Sequence, residues 1–287
     1  MLHLVRRTPR SCGLARSRWR LEDVLAQCPW LRLTTSQGLG QLLGRLGIHY
    51  KRARDYIHSP DPDYDAKRAA IQQARQAAQT HPQQQVLLFL DEMTIYRQPT
   101  LARAWEGQGR TQPLARRSQR SNTAIRLLGA LDAGTGALHS RRPDKVTLPT
   151  LVRFFQALVA AHPGKRLTVV LDNWSNHFHP DVLAALEPQG SPFPRYLPPS
   201  WPTEPSPAAV RKWGALQLPI QLLPLPTYAS WCNSIEQVWR KLRQELGHLH
   251  PWADELAQLR AALDQWLADC RDPSPDLLRY VGLAMPD

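Results

Sequence analysis

Two apolar runs that each lead directly into an aspartate constrain this chain more than any other feature of its sequence. The run VLLFL (86–90) is followed by Asp91, and the run LTVVL (167–171) is followed by Asp172. Short, wholly apolar runs are typical of strands buried on both faces of a sheet. If the two strands are neighbours, their aspartates lie side by side at one edge, where they repel each other unless a cation lies between them.

The order of the predicted elements favours a mixed α/β domain. A hairpin around the Gly-rich turn DAGTGA (132–137) follows the strand that ends at Asp91. A helix, the strand that ends at Asp172, a short helix, a strand in PIQLLPLP (219–226) and terminal helices complete the order. This succession predicts a ribonuclease-H-like sheet with helices on both faces, and other three-layer α/β folds share it. A Pro-rich stretch at about 188–218 is expected to be an irregular surface insertion.

Composition restricts the class of protein. The net charge of +12 favours a polyanionic partner, with nucleic acid first. No apolar run approaches the ~20 residues that span a bilayer, and the N-terminal segment lacks the apolar core of a secretory signal. The four cysteines show no CxxC pairing, which favours reduced thiols over a disulfide framework or a zinc site. We therefore expect a cytoplasmic protein with no membrane partner.

The first 58 residues carry 11 Lys/Arg against 3 Asp/Glu and so hold much of the excess charge. Apolar residues recur at helical spacing over 21–28 and over 39–46, with Thr34 or Thr35 as N-cap of the second run and Gly47 at its C-terminal end. Two short helices joined by a turn suit a helix-turn-helix that binds DNA, and a small helical cap with merely solvated arginines is the alternative. Three regions are predicted: a helix-turn-helix domain (1–58), a linker and helix (59–83), and the α/β domain (84–287).

Glu236 is the candidate for a third acid at the same edge. It lies at the start of a predicted helix in WCNSIEQVWRKL (231–242), beside a buried stripe that includes Trp239. Oxygen ligands without a Cys/His set favour Mg²⁺ or Mn²⁺ over zinc. Three acids that share metal ions are typical of enzymes that cleave phosphodiester bonds with two metal ions. In these enzymes the ions lie ~3.5–4 Å apart, activate the attacking oxygen and stabilise the leaving one. On spacing alone, acids that only form turns explain the pattern about equally well.

Four segments together resemble the DDE transposases of bacterial insertion sequences, in the mariner-related insertion-sequence 630 family. The family's motifs read D-E, D-N-x-x-x-H and L-P-x-Y-x-P-x-L-N-P-I-E-x-x-W. The matching segments are LLFLDEMTIYRQP (87–99), VVLDNWSNHFHPDVLAAL (169–186), LLPLPTYASWCNSIEQVWRKLR (222–243) and LGIHYKRARDYIHSPDPDYDAKRAAI (46–71). The resemblance implies that Asp91, Asp172 and Glu236 are the catalytic, metal-binding triad, with Asn173 and His177 orienting metal ligands or phosphate.

The resemblance also implies a function. Such a transposase cuts DNA at the terminal repeats of its element and joins the freed 3′-hydroxyl to target DNA, with two Mg²⁺ or Mn²⁺ ions. The partners expected are double-stranded DNA and a second copy of the chain, and the expected location is the bacterial cytoplasm, on the nucleoid. Trp105 matches a family tryptophan and is expected to pack structurally, with base stacking as the alternative. The candidate DNA-binding residues are Arg45, Lys51, Arg52 and Arg54 after the second helix, and Arg116, Arg117 and Arg120 in a basic loop that is alternatively only solvated.

Three departures from the family pattern accompany the resemblance. Asp172 and Glu236 are 64 positions apart, a gap much longer than the family's, which the Pro-rich insertion accounts for. Ser234 replaces the family's helix-starting proline. The helix-turn-helix region is short by comparison, as expected of a truncated copy.

Three rival functions are weighed against a transposase. A decayed or domesticated DNA-binding protein would have no need of three acids. A nuclease for RNA–DNA hybrids would have no use for a helix-turn-helix, because that module reads B-form major grooves. A serine or cysteine hydrolase would rest on His177 and His179, but no G-x-S-x-G elbow occurs.

Overall fold

The computed structural model describes residues 1–51, 58–188, 193–194 and 197–284. The chain divides into two compact units, Met1–Tyr56 and Ile57–Asp287. Arg52 and Arg54, two of the predicted DNA contacts, lie outside the described residues. Among the described helices, none is both long enough and apolar enough to cross a membrane.

The first unit is helical. Its α-helices are α1 (Leu2–Arg6), α2 (Leu21–Gln27) and α3 (Ser36–Arg45). The predicted capping residue of α3 is found at Thr35, whose Oγ1 accepts a hydrogen bond from the Gly38 amide at 3.1 Å. Val24 of α2 packs against Leu39 of α3 in a small buried cluster. The two predicted helices are therefore present, and DNA binding by them stays a prediction.

The second unit is built on one five-stranded mixed sheet. Its strands are β1 (Gln85–Tyr96), β2 (Ala124–Asp132), β3 (Leu138–Arg141), β4 (Arg166–Leu171) and β5 (Ile220–Pro224). Their order is β3-β2-β1-β4-β5, in which β3, β2 and β1 run antiparallel and β1, β4 and β5 run parallel. The predicted mixed sheet flanked by helices is confirmed.

Helices cover both faces of this sheet. They are α4 (Tyr64–Thr80), α5 (Leu148–Ala161), α6 (Pro180–Leu183), α7 (Pro207–Trp213), α8 (Ile235–Leu242), α9 (Leu256–Asp269) and α10 (Pro275–Tyr280). One core packs α5 and α6 on the sheet, and the other packs α8, α9 and α10 together with one side of α4. Because side chains alternate along a strand, Leu87 and Phe89 belong to the α8 core, while Leu88 and Leu90 belong to the α5 core. Burial of each such side chain stabilises the fold by about 1.5–3 kcal/mol.

The prediction that Asp91 ends its strand is wrong, because β1 continues to Tyr96. The continuation is not a uniform apolar run: Met93 and Ile95 are buried and alternate with more exposed residues, and the strand stays paired with β2 as far as Tyr96 and Ala124. By contrast, β4 ends directly before Asp172, as predicted.

The Pro-rich stretch predicted to be wholly irregular contains helix α7. Ser206 is the N-cap of this helix, and its Oγ and amide both donate to the Asp181 carboxylate, at 3.0 and 2.6 Å. Leu186 and Leu218 pair in a short β-bridge, so the two ends of the stretch lie together.

Candidate active site

The register of the two parallel central strands brings the first two predicted acids to the same level of the sheet. Phe89 of β1 pairs with Val170 of β4, and Asp91 and Asp172 each lie two positions further along. Glu236, in the first turn of α8, lines the same cleft as both aspartates, and the cleft has a volume of about 820 Å³. All three members of the predicted triad therefore meet at one site.

Asp91 is held by a tryptophan from α8. Trp239 is 1% exposed, and its Nε1 donates a hydrogen bond to Asp91 Oδ2 at 3.0 Å. The indole lies over Gly129, the β2 partner of Asp91, where an added Cβ would come within 2.5 Å of the ring. Glycine at this position is therefore what allows α8 to approach the strand closely enough to contact the carboxylate.

Burial and neighbouring acids make ionisation of Asp91 costly. Burial contributes most and the negative charges of Glu236, Glu92 and Asp172 add to it, so the pKa of Asp91 is raised to about 8. A carboxylate in this setting is ionised at neutral pH when a positive charge lies beside it. The donor set, which consists of carboxylate oxygens, suits a hard divalent cation.

His177 lies between two acids that come from different strands. It follows β4 in the 3₁₀ turn Ser175–Phe178, and its side chain is fully buried. Its Nε2 lies 2.9 Å from Glu92 Oε1, and its Nδ1 lies 3.1 Å from Asp172 Oδ1. The ligand atoms of Glu92, Asp172 and His177 all lie within 4.8 Å of one another.

The charges in this group stabilise one another. Burial alone would lower the pKa of His177, but its hydrogen bonds to Asp172 and Glu92 and their charges raise it to about 10. Burial alone would raise the pKa of Asp172, but the hydrogen bond and charge of His177 and the amide of Trp174 hold it below its usual value. His177 is thus an imidazolium that keeps Asp172 ionised and fixes its orientation.

Two asparagines connect the elements that carry the acids. Asn173 Nδ2 donates to the Leu225 carbonyl at 2.8 Å, which joins the end of β4 to the segment after β5. Asn233 Nδ2 donates to the Leu90 carbonyl at 3.1 Å, and the Asn233 carbonyl accepts from the Glu236 amide at 3.1 Å. Asn233 therefore joins β1 to the start of α8. Asn233 was not among the predicted site residues, although it occupies the asparagine of the family's L-N-P-I-E motif.

A buried ion pair forms part of the cleft wall, in the segment expected to be a linker. Asp61 Oδ2 accepts from Lys67 Nζ at 2.8 Å and from the Thr227 amide at 2.7 Å, and Ser59 Oγ donates to the Thr227 carbonyl at 2.6 Å. The side chains of Lys67 and Asp61 are only 5% and 3% exposed. Burial opposes ionisation of Asp61, but Lys67 and the amides of Thr227 and Asp63 lower its pKa to about 2. No motif in the sequence marks this pair.

The remaining predicted DNA contacts are all exposed. Arg45 ends α3 and Lys51 lies beyond it, both in the first unit. In the second unit, Arg116, Arg117 and Arg120 lie in the irregular segment 97–123 between β1 and β2. Ser118 anchors that segment, because its Oγ donates to Asp254 Oδ1 at 2.6 Å.

Trp105, in the same irregular segment, was expected to pack against the protein. It is instead fully exposed, so that expectation is wrong. Residues 103–110 around it are exposed as well, so this part of the segment lies against no core.

Comparisons with known proteins agree with this geometry. The family described as DDE superfamily endonuclease matches residues 86–259, more than half of the chain. A curated protein of Shigella sonnei, the insertion element IS630 uncharacterized 39 kDa protein, is 23% identical over 252 residues. That match covers 86% of this chain and 63% of the relative, so the chain spans less than two thirds of that protein's length.

Solved structures show the same fold. The Mos1 transposase paired-end complex with left transposon end superposes with a TM-score of 0.56 at 15% identity, over 94% of this chain and 76% of that one. The Mos1 mariner paired end complex with Mn gives a TM-score of 0.56 at 15% identity, over 94% and 77% of the two chains. The match of the family model to residues 86–259 confirms the expected kinship: the chain belongs to the DDE superfamily of endonucleases.

Proposed function

We propose that this chain is a transposase that cuts DNA at the ends of its own insertion element and joins the freed 3′-hydroxyl to target DNA. One observation carries the proposal: acids from β1, from the end of β4 and from α8 converge on a single cleft. Membership of the DDE superfamily and the likeness to IS630 and mariner proteins support it.

Asp91, Asp172 and Glu236 are the proposed metal ligands. The raised pKa of Asp91 supports the assignment, because a cation beside it would remove the repulsion among these acids. Mg²⁺ and Mn²⁺ fit the oxygen donors, and a mariner relative was solved with Mn. Two such ions, when bound, supply activation of the attacking oxygen and stabilisation of the leaving one.

The other residues of the site are assigned to positioning. His177 holds Asp172 ionised and oriented, Asn173 joins the end of β4 to the segment after β5, and Asn233 joins β1 to the start of α8. Such contacts fix the separation of carboxylates that must act together on one phosphodiester bond.

DNA binding is divided between the two units in this proposal. The helix-turn-helix region, residues 1–58, recognises the terminal repeats through Arg45, Lys51, Arg52 and Arg54, and residues 84–287 carry out the chemistry after the linker and helix at 59–83. Arg116, Arg117 and Arg120 contact DNA phosphates. A homodimer holds the two ends of the element together, on the bacterial nucleoid.

The test is incubation of the full chain with a labelled duplex that carries the terminal repeat of the element encoding it. Mg²⁺, Mn²⁺ and EDTA are compared, and a second duplex serves as target. The proposal expects metal-dependent nicks at the repeat end and joined products with the target. Tight binding of the repeat without nicks in any metal would reject the proposal in favour of a DNA-binding protein that has lost catalysis.

A further inference from the structure

Two of the three proposed metal ligands, Asp91 and Asp172, border a second cleft as well as the first. Because β1 continues beyond the end of β4, residues 92–96 have no paired strand on the β4 side in the described part of the chain, and a second cleft of about 530 Å³ opens there. Asp91 and Asp172 line this cleft as well as the larger one, and Glu92 joins them on the α5 face. A bound substrate could therefore extend from the acids in two directions.

The cationic side chains of the two clefts differ in their exposure. In the larger cleft, Lys67 is the one cation among the described lining residues, and it is buried and paired with Asp61. In the second cleft, Arg126 and Lys145 are both exposed. Only the second cleft therefore offers, among the described lining residues, positive charges that a ligand can reach.

These two cations are held beside each other by the backbone. Arg126 lies opposite Thr94 in the β1–β2 ladder, and its Nη1 donates to the carbonyl of Asp144, the residue before Lys145. The hydrogen bond measures 2.9 Å and leaves the other nitrogens of the guanidinium free to donate. The Thr147 hydroxyl completes this wall of the cleft.

A DNA backbone that reaches the acids meets strong repulsion unless cations lie close by. Asp91, Glu92 and Asp172 all line the second cleft, so a phosphate there is repelled unless cations of the same cleft offset the negative charge. We infer that the second cleft binds the phosphodiester backbone of the strand that flanks the bond to be cut, with Arg126 and Lys145 contacting its phosphates. This inference rests on the proposed function and names a contact of the same site.

The experiment measures binding and cleavage of the terminal-repeat duplex separately. Binding by the full chain is measured in Ca²⁺, whose loose coordination geometry differs from that of Mg²⁺, over a series of salt concentrations. The variants are Lys145→Ala, Arg126→Ala and Lys145→Arg. Lys165→Ala is the matched control, because Lys165 directly precedes β4, at the end of the strand away from Asp172. Thermal unfolding checks that each variant is folded.

Each lost phosphate contact should reduce the slope of log affinity against log salt by about 0.7–0.9. The inference expects that reduction for Lys145→Ala and Arg126→Ala, and the wild-type slope for Lys145→Arg and Lys165→Ala. Slopes for folded Lys145→Ala and Arg126→Ala that equal the slope of Lys165→Ala would overturn it.

Cleavage in Mg²⁺ separates this inference from the proposed function. If the wild type fails to cut while the slope of log affinity against log salt is reduced in the two alanine variants, the cleft binds DNA and the proposed function is wrong. If the wild type cuts while the slopes do not change, the function stands and the cleft assignment is wrong.

Discussion

Trp239 Nε1 donates a hydrogen bond to Asp91 Oδ2 over 3.0 Å, directly above a glycine of the neighbouring strand. The contact joins α8, which carries Glu236, to β1, which carries Asp91. It fixes one carboxylate oxygen of Asp91, while the carboxylate still lines the cleft. Residues that orient metal-binding side chains in this way typically affect activity by 10–100-fold.

Trp239→Phe tests this contact. The phenyl ring keeps most of the buried apolar surface and removes the donor, so we expect cleavage to fall by about 10–100-fold, with a modest loss of stability. Single-turnover cleavage and urea unfolding measure the two effects. Unchanged cleavage by a folded variant would show that the indole only packs.

Gly129→Ala tests the close approach of α8 to the sheet. An added Cβ lies 2.5 Å from the indole, so the ring must move, and overpacking of this kind costs about 1–3 kcal/mol. Urea unfolding measures the cost, and Gly44→Ala, where no atom lies within 4 Å, is the matched control. A free energy of unfolding equal to that of the wild type would contradict the packing described for Trp239.

Asp61→Asn and Lys67→Met test the buried pair in the cleft wall. Removal of one partner leaves the other charge buried, which typically costs about 3–5 kcal/mol, whereas replacement of both costs much less. Urea unfolding of both single variants and the double variant gives the coupling energy. Asp264→Asn, which breaks the more exposed pair with Arg142, should cost about 1 kcal/mol or less. Additive effects of the two substitutions would contradict the pairing.

The same pair predicts a pH dependence of stability. The pKa of Asp61 is lowered from 3.8 to about 2 in the folded protein, so its contribution is present above pH ~4 and is lost as the pH falls towards 2. The difference in unfolding free energy between wild type and Asp61→Asn should therefore be constant from pH 7 to 5 and shrink below pH 4. A difference that does not change down to pH 2.5 would contradict the lowered pKa.

Local patterns identified the three acids as candidates, and only the resemblance to the DDE transposases implied that they act as a triad. Asp172 follows an apolar strand, and Glu236 starts a helix with a clear buried stripe. The length of β1 could not be read in this way, because Met93 and Ile95 alternate with more exposed residues and the pairing with β2 sustains the strand. As a result, the sequence did not show that the side chains of Asp91 and Glu92 point to opposite faces of the sheet.

Contacts between distant segments were also beyond sequence patterns. Asp61 meets the amide of Thr227, 166 positions away, and the prolines around it indicated only an extended linker. Similarly, Trp239 was recognised as part of a buried stripe, but its polar contact depends on Gly129 in another strand. Local periodicity identifies which residues are buried, and the tertiary fold decides which polar groups meet.

Single-turnover cleavage of the labelled terminal-repeat duplex by wild type and Glu236→Gln, in Mn²⁺, tests the central claim most directly. Gln keeps the shape of the side chain and removes a charged ligand worth several kcal/mol in the transition state. We predict a loss of at least about 10³-fold in rate with unchanged DNA affinity. Cleavage by Glu236→Gln at the wild-type rate would contradict the claim that acids from three elements act together in this cleft.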